Sequence, residues 1–72
     1  MQLTFTIIFV GLDGVTYAGT AYSESVLQSY LARCQREGWP MCLVTAKGMR
    51  MAERPLLLLT RKSDGRYRQR TW

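Results

Sequence analysis

The sequence predicts an α+β domain in which one helix packs on one face of an antiparallel sheet of four to five strands. Several short segments alternate apolar and polar residues, which is typical of strands, whereas one segment carries apolar residues at spacings of three and four, which is typical of a helix. The chain has 72 residues, 47% of them apolar, enough for one small hydrophobic core. We therefore expect a single domain over residues 1–72, with the order β-β-α-β-β and a further strand left open at the end.

The first two strands are predicted to form a hairpin. Residues 3–10 alternate threonine with aromatic and aliphatic residues before Ile8 and Val10 make both faces apolar. Asp13 and Gly14 follow, and this dipeptide is a strong hairpin signal because both residue types tolerate the positive φ of a tight turn. Residues 15–22 then return as the second strand.

The helix is the best-defined element of the sequence and is predicted over Glu24–Glu37. Ser23 is placed to accept a hydrogen bond from a free amide of the first turn, Gly38 supplies a left-handed cap, and Pro40 cannot continue the helix. Trp39 is expected to fold back on the last turn as part of the cap. The apolar stripe predicted to pack on the sheet comprises Val26, Leu27, Tyr30, Leu31 and Cys34.

The remaining part of the chain is predicted to add two or three strands. Residues 41–46 form a short apolar strand, and the leucine run at 56–60 indicates a strand in the middle of the sheet. Residues 47–55 between them exceed the usual hairpin loop, so we interpret them as a mobile or functional loop. After a second Asp-Gly turn, residues 66–72 are either a fifth, edge strand or a loose basic arm, and with the turn they make a basic C-terminal hairpin arm at 63–72.

The net positive charge lies in the last third of the chain. Residues 47–72 carry a net charge of +6, whereas residues 1–46 carry −1. Arginine outnumbers lysine by eight to two, which favours forked hydrogen bonds to carboxylates or phosphates. This asymmetry predicts an acidic protein surface, a protein complex or a nucleic acid as the partner.

Residues that carry catalysis or bind metals are scarce. There are only two cysteines, Cys34 and Cys42, and no histidines. Two such ligands are too few for a zinc site in one chain, and without histidine no His-activated nucleophile is available. We interpret both cysteines as reduced, buried thiols. The carboxylates of Asp13, Glu24 and Asp64 are explained by turns and by the helix N-terminus. We therefore expect a protein that is not an enzyme and that binds no metal or cofactor.

Neither a membrane segment nor a signal peptide is predicted. The apolar runs at 7–10 and 56–59 are far shorter than the ~20 residues of a spanning helix, and the N-terminus lacks the basic start of a signal peptide. We therefore expect a cytoplasmic protein with no membrane partner. Because chains below ~80 residues often need a further source of stability, a homodimer is an additional alternative.

Two basic groups are the candidate partner-binding residues. The first, the hairpin group, interleaves cations with aromatic residues around the second Asp-Gly turn: Arg61, Lys62, Arg66, Tyr67, Arg68, Arg70 and Trp72. This pattern suits phosphate contact with base stacking, whereas edge strands also carry cations that only block aggregation. The second, the loop group, adds a flexible apolar methionine to three cations: Lys47, Met49, Arg50 and Arg54.

Two functions are consistent with these features. The first is a non-enzymatic, protein-binding accessory or inhibitor protein, of the kind that bacteriophages and mobile elements use against host machinery, such as an anti-CRISPR or polymerase-binding protein. Its surface would combine both basic groups. The alternative is a nucleic-acid-binding protein that uses the Arg-rich C-terminal hairpin, although the sequence has no helix-turn-helix, zinc-finger or RNA-recognition signature.

A helix with a Gly-Trp end, a following strand at Cys42-Leu43-Val44 and a leucine strand that closes on Arg61 and Lys62 occur in this order along the chain. Together they resemble a family of small bacterial and phage domains of unknown function. In that family an amphipathic helix ends in Gly-Trp-Glu, a strand follows, and a last apolar strand closes on basic residues. Here the corresponding segments are 27–39, 42–44 and 56–62, with Pro40 where the family has glutamate. The resemblance covers roughly residues 24–62 and implies the fold of that family, with no mechanism.

Overall fold

A computed structural model describes residues 3–72 of the chain. Over these residues, one helix and five strands follow one another in the order β-β-α-β-β-β, which confirms the α+β class. The elements are β1 Thr4–Val10, β2 Thr16–Ala21, α1 Glu24–Glu37, β3 Met41–Gly48, β4 Met51–Arg61 and β5 Tyr67–Thr71. The strands pair antiparallel in an open sheet with the order β2-β1-β3-β4-β5.

The strand register divides the side chains of the sheet between two faces. Residues directly opposite each other on paired strands point to the same face. The helix face, which meets α1, includes Ile7 paired with Val44. The other face, called the open face, has a continuous row across four strands, in which Ile8 pairs with Leu43, Leu43 with Leu58, and Leu58 with Arg70.

The hydrophobic core lies between the helix and the helix face. Its largest fully buried side chains are Ile7, Val44, Cys34 and Cys42. From the helix, Leu27 and Cys34 belong to this cluster. Burial of the apolar side chains of both layers removes them from water, which is the main stabilising contribution in so small a domain.

The predicted helix stripe is wider than the surface that the helix buries. Tyr30 and Leu31 are half-buried, but Val26 is 42% exposed, so its predicted burial is wrong. Val26 lies roughly 80° from Cys34 around the helix axis, at the margin of the stripe. A helix that touches the sheet along one line leaves such marginal positions in solvent.

The predicted caps are present at both helix ends. The Ser23 hydroxyl accepts a hydrogen bond from the Val26 amide at 3.3 Å. Gly38 adopts a left-handed φ of 71°, and the Trp39 amide donates to the Cys34 carbonyl at 3.0 Å. The Trp39 side chain is buried and stacks on Phe9, with ring centres 3.8 Å apart. The cap therefore also anchors the helix end to β1.

The predicted nine-residue loop at 47–55 is wrong. β3 continues to Gly48 and β4 begins at Met51, so only two residues form the turn. Gly48 is buried within the ladder and pairs with Met51, while Pro55 pairs with Thr45 beside a register shift. A bulge tolerates proline because it relaxes the ladder, and it leaves Leu56 without a partner in the register.

Residues 66–72 take the first of their two predicted forms, the edge strand. The Gly65 amide donates to the Lys62 carbonyl at 3.0 Å, and the Lys62 amide donates to the Arg66 carbonyl at 2.7 Å, which closes the turn. β5 then pairs with β4 over five positions. The leucine-rich segment of β4 consequently lies between β3 and β5, as its unbroken apolar run predicted.

Candidate functional site

The hairpin group is divided between the two faces of the sheet. Arg68 pairs with Thr60 and Arg70 with Leu58, so both arginines lie on the open face. Tyr67 pairs with Arg61, and strand alternation turns it to the helix face. The interleaving of cations and aromatic residues in the sequence therefore does not produce a mixed surface.

Tyr67 has a structural position. Its hydroxyl lies 2.7 Å from the Trp39 carbonyl oxygen and 3.0 Å from the Cys34 carbonyl oxygen. Because the hydroxyl has a single proton, these two carbonyl oxygens share it as acceptors. Burial raises the pKa of the Tyr67 phenol, and the neighbouring Cys34 thiol adds to the rise. Tyr67 thus ties β5 to the helix C-terminus and is not free to stack on a base.

Arg61 also contacts the helix end. The Arg61 guanidinium lies beside Gly38 at the helix C-terminus, where a Cβ atom on Gly38 would be 3.8 Å from the guanidinium carbon. The Arg61 backbone amide donates a hydrogen bond to the Pro40 carbonyl at 2.9 Å. The C-terminus of a helix carries partial negative charge, which a cation stabilises. Arg61 therefore contributes to the stability of the helix C-terminus, although it is exposed to solvent.

The turn of the hairpin holds exposed charges with weak internal pairing. The Asp64 carboxylate accepts a hydrogen bond from the Arg66 amide at 3.0 Å and lies 4.0 Å from the Arg66 side chain. An exposed pair at this distance contributes little stability. Lys62 is exposed beside it, so both cations of the turn remain accessible to a partner.

Arg68, Arg70 and Trp72 form a second accessible part of the hairpin group, beyond the turn. Both arginines are exposed, and the Trp72 side chain is 54% exposed. The guanidinium carbon of Arg70 lies 4.6 Å from the centre of the Trp72 ring, within the range of a cation–π contact. These residues combine a large apolar surface with forked donors, which is a frequent composition of binding hot spots.

The open face beside these arginines has an aliphatic centre and a hydroxyl-rich border. Its half-buried centre comprises Ile8, Val10, Met41, Leu43 and Leu58, and Arg68 and Arg70 form its border on β5. Threonines surround this centre on β1, β2, β3 and β4. No strand residue of the open face within residues 3–72 is aromatic, so the face lacks the stacking platform of sheet-based RNA-binding domains.

The loop group lies at the far end of β4. Met49, which is 91% exposed, and Arg50 form the tip of the β3–β4 turn, and Lys47 and Arg54 are exposed near it. β4 has 11 residues and thus spans about 35 Å. The tip of the loop group, Met49 and Arg50, and the turn of the hairpin group therefore lie at opposite ends of β4. Arg54 lies closer to the hairpin group, two residues before Leu56, whose carbonyl accepts the Trp72 amide.

A groove on the helix face was not foreseen from the sequence. It has a volume of about 310 Å³, and its apolar lining residues are Phe5, Leu27, Leu31, Leu56, Leu57 and Trp72. Four polar residues also line it: Glu24, Gln28, Gln69 and Thr71. The helix packs towards β2 and β3, which leaves the β4–β5 side of this face open beside the N-terminal half of the helix, whereas the C-terminal end is tied to β5 by Tyr67. The signal for the groove was the imbalance between one short helix and five strands.

The two thiols and one turn carboxylate have shifted pKa values. Burial raises the pKa of Cys34, and it raises that of Cys42 to about 12, so both thiols stay protonated near neutral pH. Asp13 accepts hydrogen bonds from the Tyr17 hydroxyl at 2.7 Å and from the Val15 amide at 3.0 Å, which accounts for its lowered pKa. Among residues 3–72 no three His, Cys, Asp or Glu side chains cluster in a way that could hold a metal ion.

Comparison with protein-family models, with curated proteins and with solved structures finds no match to this chain. The resemblance to small bacterial and phage domains therefore stays a prediction. Within the described residues, the helix is too short and too polar to cross a membrane.

Proposed function

We propose that this chain is a non-enzymatic, basic protein-binding module that docks on an acidic surface of a partner protein. The observation that carries the proposal is the exposed group of Arg68, Arg70 and Trp72 at one edge of the sheet, next to the aliphatic centre of the open face. Such a surface attracts a negative partner at long range and offers forked hydrogen bonds and apolar burial on contact.

The distribution of aromatic residues favours a protein partner over a nucleic acid. Binding of single-stranded nucleic acid without sequence preference depends on aromatic side chains on which successive bases stack. Tyr67 is bonded to the helix end, and Trp72 alone remains beside the arginines. An aliphatic surface with a cationic border is better suited to a protein than to a row of bases.

Nucleic-acid binding is the second candidate function. It is supported by the exposure of four cations on one hairpin, Lys62, Arg66, Arg68 and Arg70. These side chains could neutralise backbone phosphates without reading base sequence. This alternative predicts a complex that is lost after nuclease treatment.

The proposed biological role is that of an accessory or inhibitor protein of phage or mobile-element type, an anti-CRISPR protein being one example. A module of this kind acts by occupying a surface of host machinery and needs no chemistry of its own. The proposal places it in the cytoplasm, where buried thiols such as Cys34 and Cys42 stay reduced.

The test compares two charge reversals in an affinity capture from a nuclease-treated bacterial lysate. Arg70→Glu changes the proposed surface, and Arg36→Glu makes the same charge change in the last helical turn, outside it. We expect a protein to be retained by the wild type and by Arg36→Glu, and to bind Arg70→Glu about tenfold more weakly. Retention that disappears with nuclease, or that is equal for both variants, would contradict the proposal.

A further inference from the structure

The outer edge of β5 carries free backbone hydrogen-bonding groups. β5 is the last strand in the sheet order. Just before β5 the Arg66 carbonyl accepts from the Lys62 amide, which follows β4, at 2.7 Å, and just after β5 the Trp72 amide donates to the Leu56 carbonyl at 3.3 Å. Since backbone groups alternate in direction along an antiparallel strand, the even-numbered residues face β4. The amides and carbonyls of Tyr67, Gln69 and Thr71 therefore face outwards.

The two faces of this edge have different chemistry. On the open face, the side chains next to the edge are those of Arg68 and Arg70. On the helix face, Gln69 and Thr71 border the apolar groove described above. An extended segment paired with β5 would place alternate side chains on these two faces. Its residues on one face would meet guanidinium groups, and those on the other would enter the groove.

We propose that the partner binds by strand addition to β5, through an extended segment in which acidic and apolar residues alternate. This inference rests on the proposed function and specifies its binding mode. The main-chain bonds to Tyr67, Gln69 and Thr71 hold the segment, carboxylates pair with Arg68 and Arg70, and the apolar side chains fill the groove.

The charge of β5 selects against a second copy of this chain at the same edge. Antiparallel pairing of two copies centred on Gln69 places Arg68 of each copy opposite Arg70 of the other. Antiparallel pairing centred on Arg68 or on Arg70 places that arginine opposite the same arginine of the other copy. Like charges directly opposite each other destabilise a strand pair. An acidic segment removes this repulsion, so charge complementarity identifies the occupant.

The experiment uses a synthetic peptide of alternating glutamate and valine, with amide hydrogen exchange and chemical shifts measured by NMR on the full chain. In the free protein, Tyr67, Gln69 and Thr71 amides should exchange faster than those of Arg68 and Arg70. At nine-tenths saturation, the peptide should slow exchange of the three outward amides about tenfold. A peptide of the same composition with its residues in blocks, and one with lysine in place of glutamate, should have little effect.

Two changes test the backbone pairing itself. Gln69→Pro removes one outward amide without removing a bond to β4, a position where edge strands tolerate proline, and Gln69→Ala is its matched control. We expect Gln69→Pro to lose the protection and Gln69→Ala to keep it. Should Gln69→Pro fail to fold, a peptide N-methylated at the amides that face β5 makes the same test on the wild type.

The outcomes separate this inference from the proposed function. Shifts at Arg68, Arg70 and Trp72 without protection of the outward amides would overturn strand addition and leave a protein-binding surface in place. Equal binding of the N-methylated peptide would overturn it in the same way. If the glutamate–valine peptide perturbs none of these residues at millimolar concentration, strand addition is wrong, and the lysate capture alone decides on the proposed function.

Discussion

Tyr67 connects three elements through one hydroxyl group. It belongs to β5, and its oxygen lies within hydrogen-bond distance of the carbonyls of Cys34, in the last turn of the helix, and Trp39, just before β3. The Cys34 carbonyl also accepts the Trp39 amide. The helix end, the cap and the edge strand that carries the proposed binding residues are therefore held by one small hydrogen-bonded cluster.

Tyr67→Phe should destabilise the protein by about 1–3 kcal/mol because it leaves a part-buried carbonyl with one partner fewer. The loss should be measured as a lower midpoint of thermal unfolding, which falls by about 4–8 °C for each kcal/mol in a domain of this size. Tyr17→Phe is the matched control, since the bond it removes is to the exposed Asp13, and it should change stability by less than about 0.5 kcal/mol. Equal effects of the two variants would show that the Tyr67 hydroxyl does not hold the cluster.

Cys42 should make the protein less stable at alkaline pH. Its pKa rises from 9.0 to about 12 in the folded state, so above pH 9 the unfolded chain loses this proton while the folded chain keeps it. Stability is then fully present below pH 9 and falls as pH rises towards 12, by up to about 1.4 kcal/mol for each pH unit. Denaturant unfolding at a series of pH values should show a shallower decline for Cys42→Ala, and parallel declines would contradict this assignment.

At the scale of elements, local chemistry predicts the helix better than the long hairpin. Ser23 and Gly38 act within a few residues of their own positions, so the helix bounds could be derived from sequence. Gly48 and Pro55 look like strand breakers in isolation. The β3–β4 ladder accommodates both residues because its register shifts at two places next to them. Such shifts depend on the pairing of two strands and cannot be derived from either segment alone.

The helix packing predicts unequal costs for two leucines of the same stripe. Leu27 is 6% exposed within the core cluster, whereas Leu31 is half-buried beside the groove. Leu27→Ala should therefore cost about 2–5 kcal/mol, enough to unfold much of a marginally stable domain, and Leu31→Ala should cost clearly less. Urea unfolding of both variants checks the order. A larger loss in Leu31→Ala would mean that Leu31, not Leu27, makes the main contact of the helix with the core.

At the scale of the whole molecule, the charge asymmetry of the sequence resolves into two basic turns at the two ends of β4. The cations of both groups are exposed, and the separation of the turns, about 35 Å, depends on the β3–β4 pairing that the predicted loop concealed. The division of Arg68 and Tyr67 between faces follows from simple alternation once residues 66–72 are known to form a strand. The groove depends on where the helix lies across the sheet, which no single segment encodes.

The salt dependence of binding distinguishes the two candidate partners of the hairpin. A single-stranded nucleic acid contacted by Lys62, Arg66, Arg68 and Arg70 would release counterions, and the logarithm of its affinity should fall against the logarithm of salt concentration with a slope of about −3. A protein segment that pairs with two arginines and buries apolar side chains in the groove should show less than about half that slope, because apolar contact is not screened. Titrations with the glutamate–valine peptide and with a single-stranded oligonucleotide, each over a range of salt, make the comparison.

Arg68→Glu combined with Arg70→Glu should abolish peptide binding while the thermal midpoint stays nearly unchanged, since both side chains are exposed. A tight oligonucleotide complex with the steep slope, lost in the same double variant, would reassign the surface to nucleic acid.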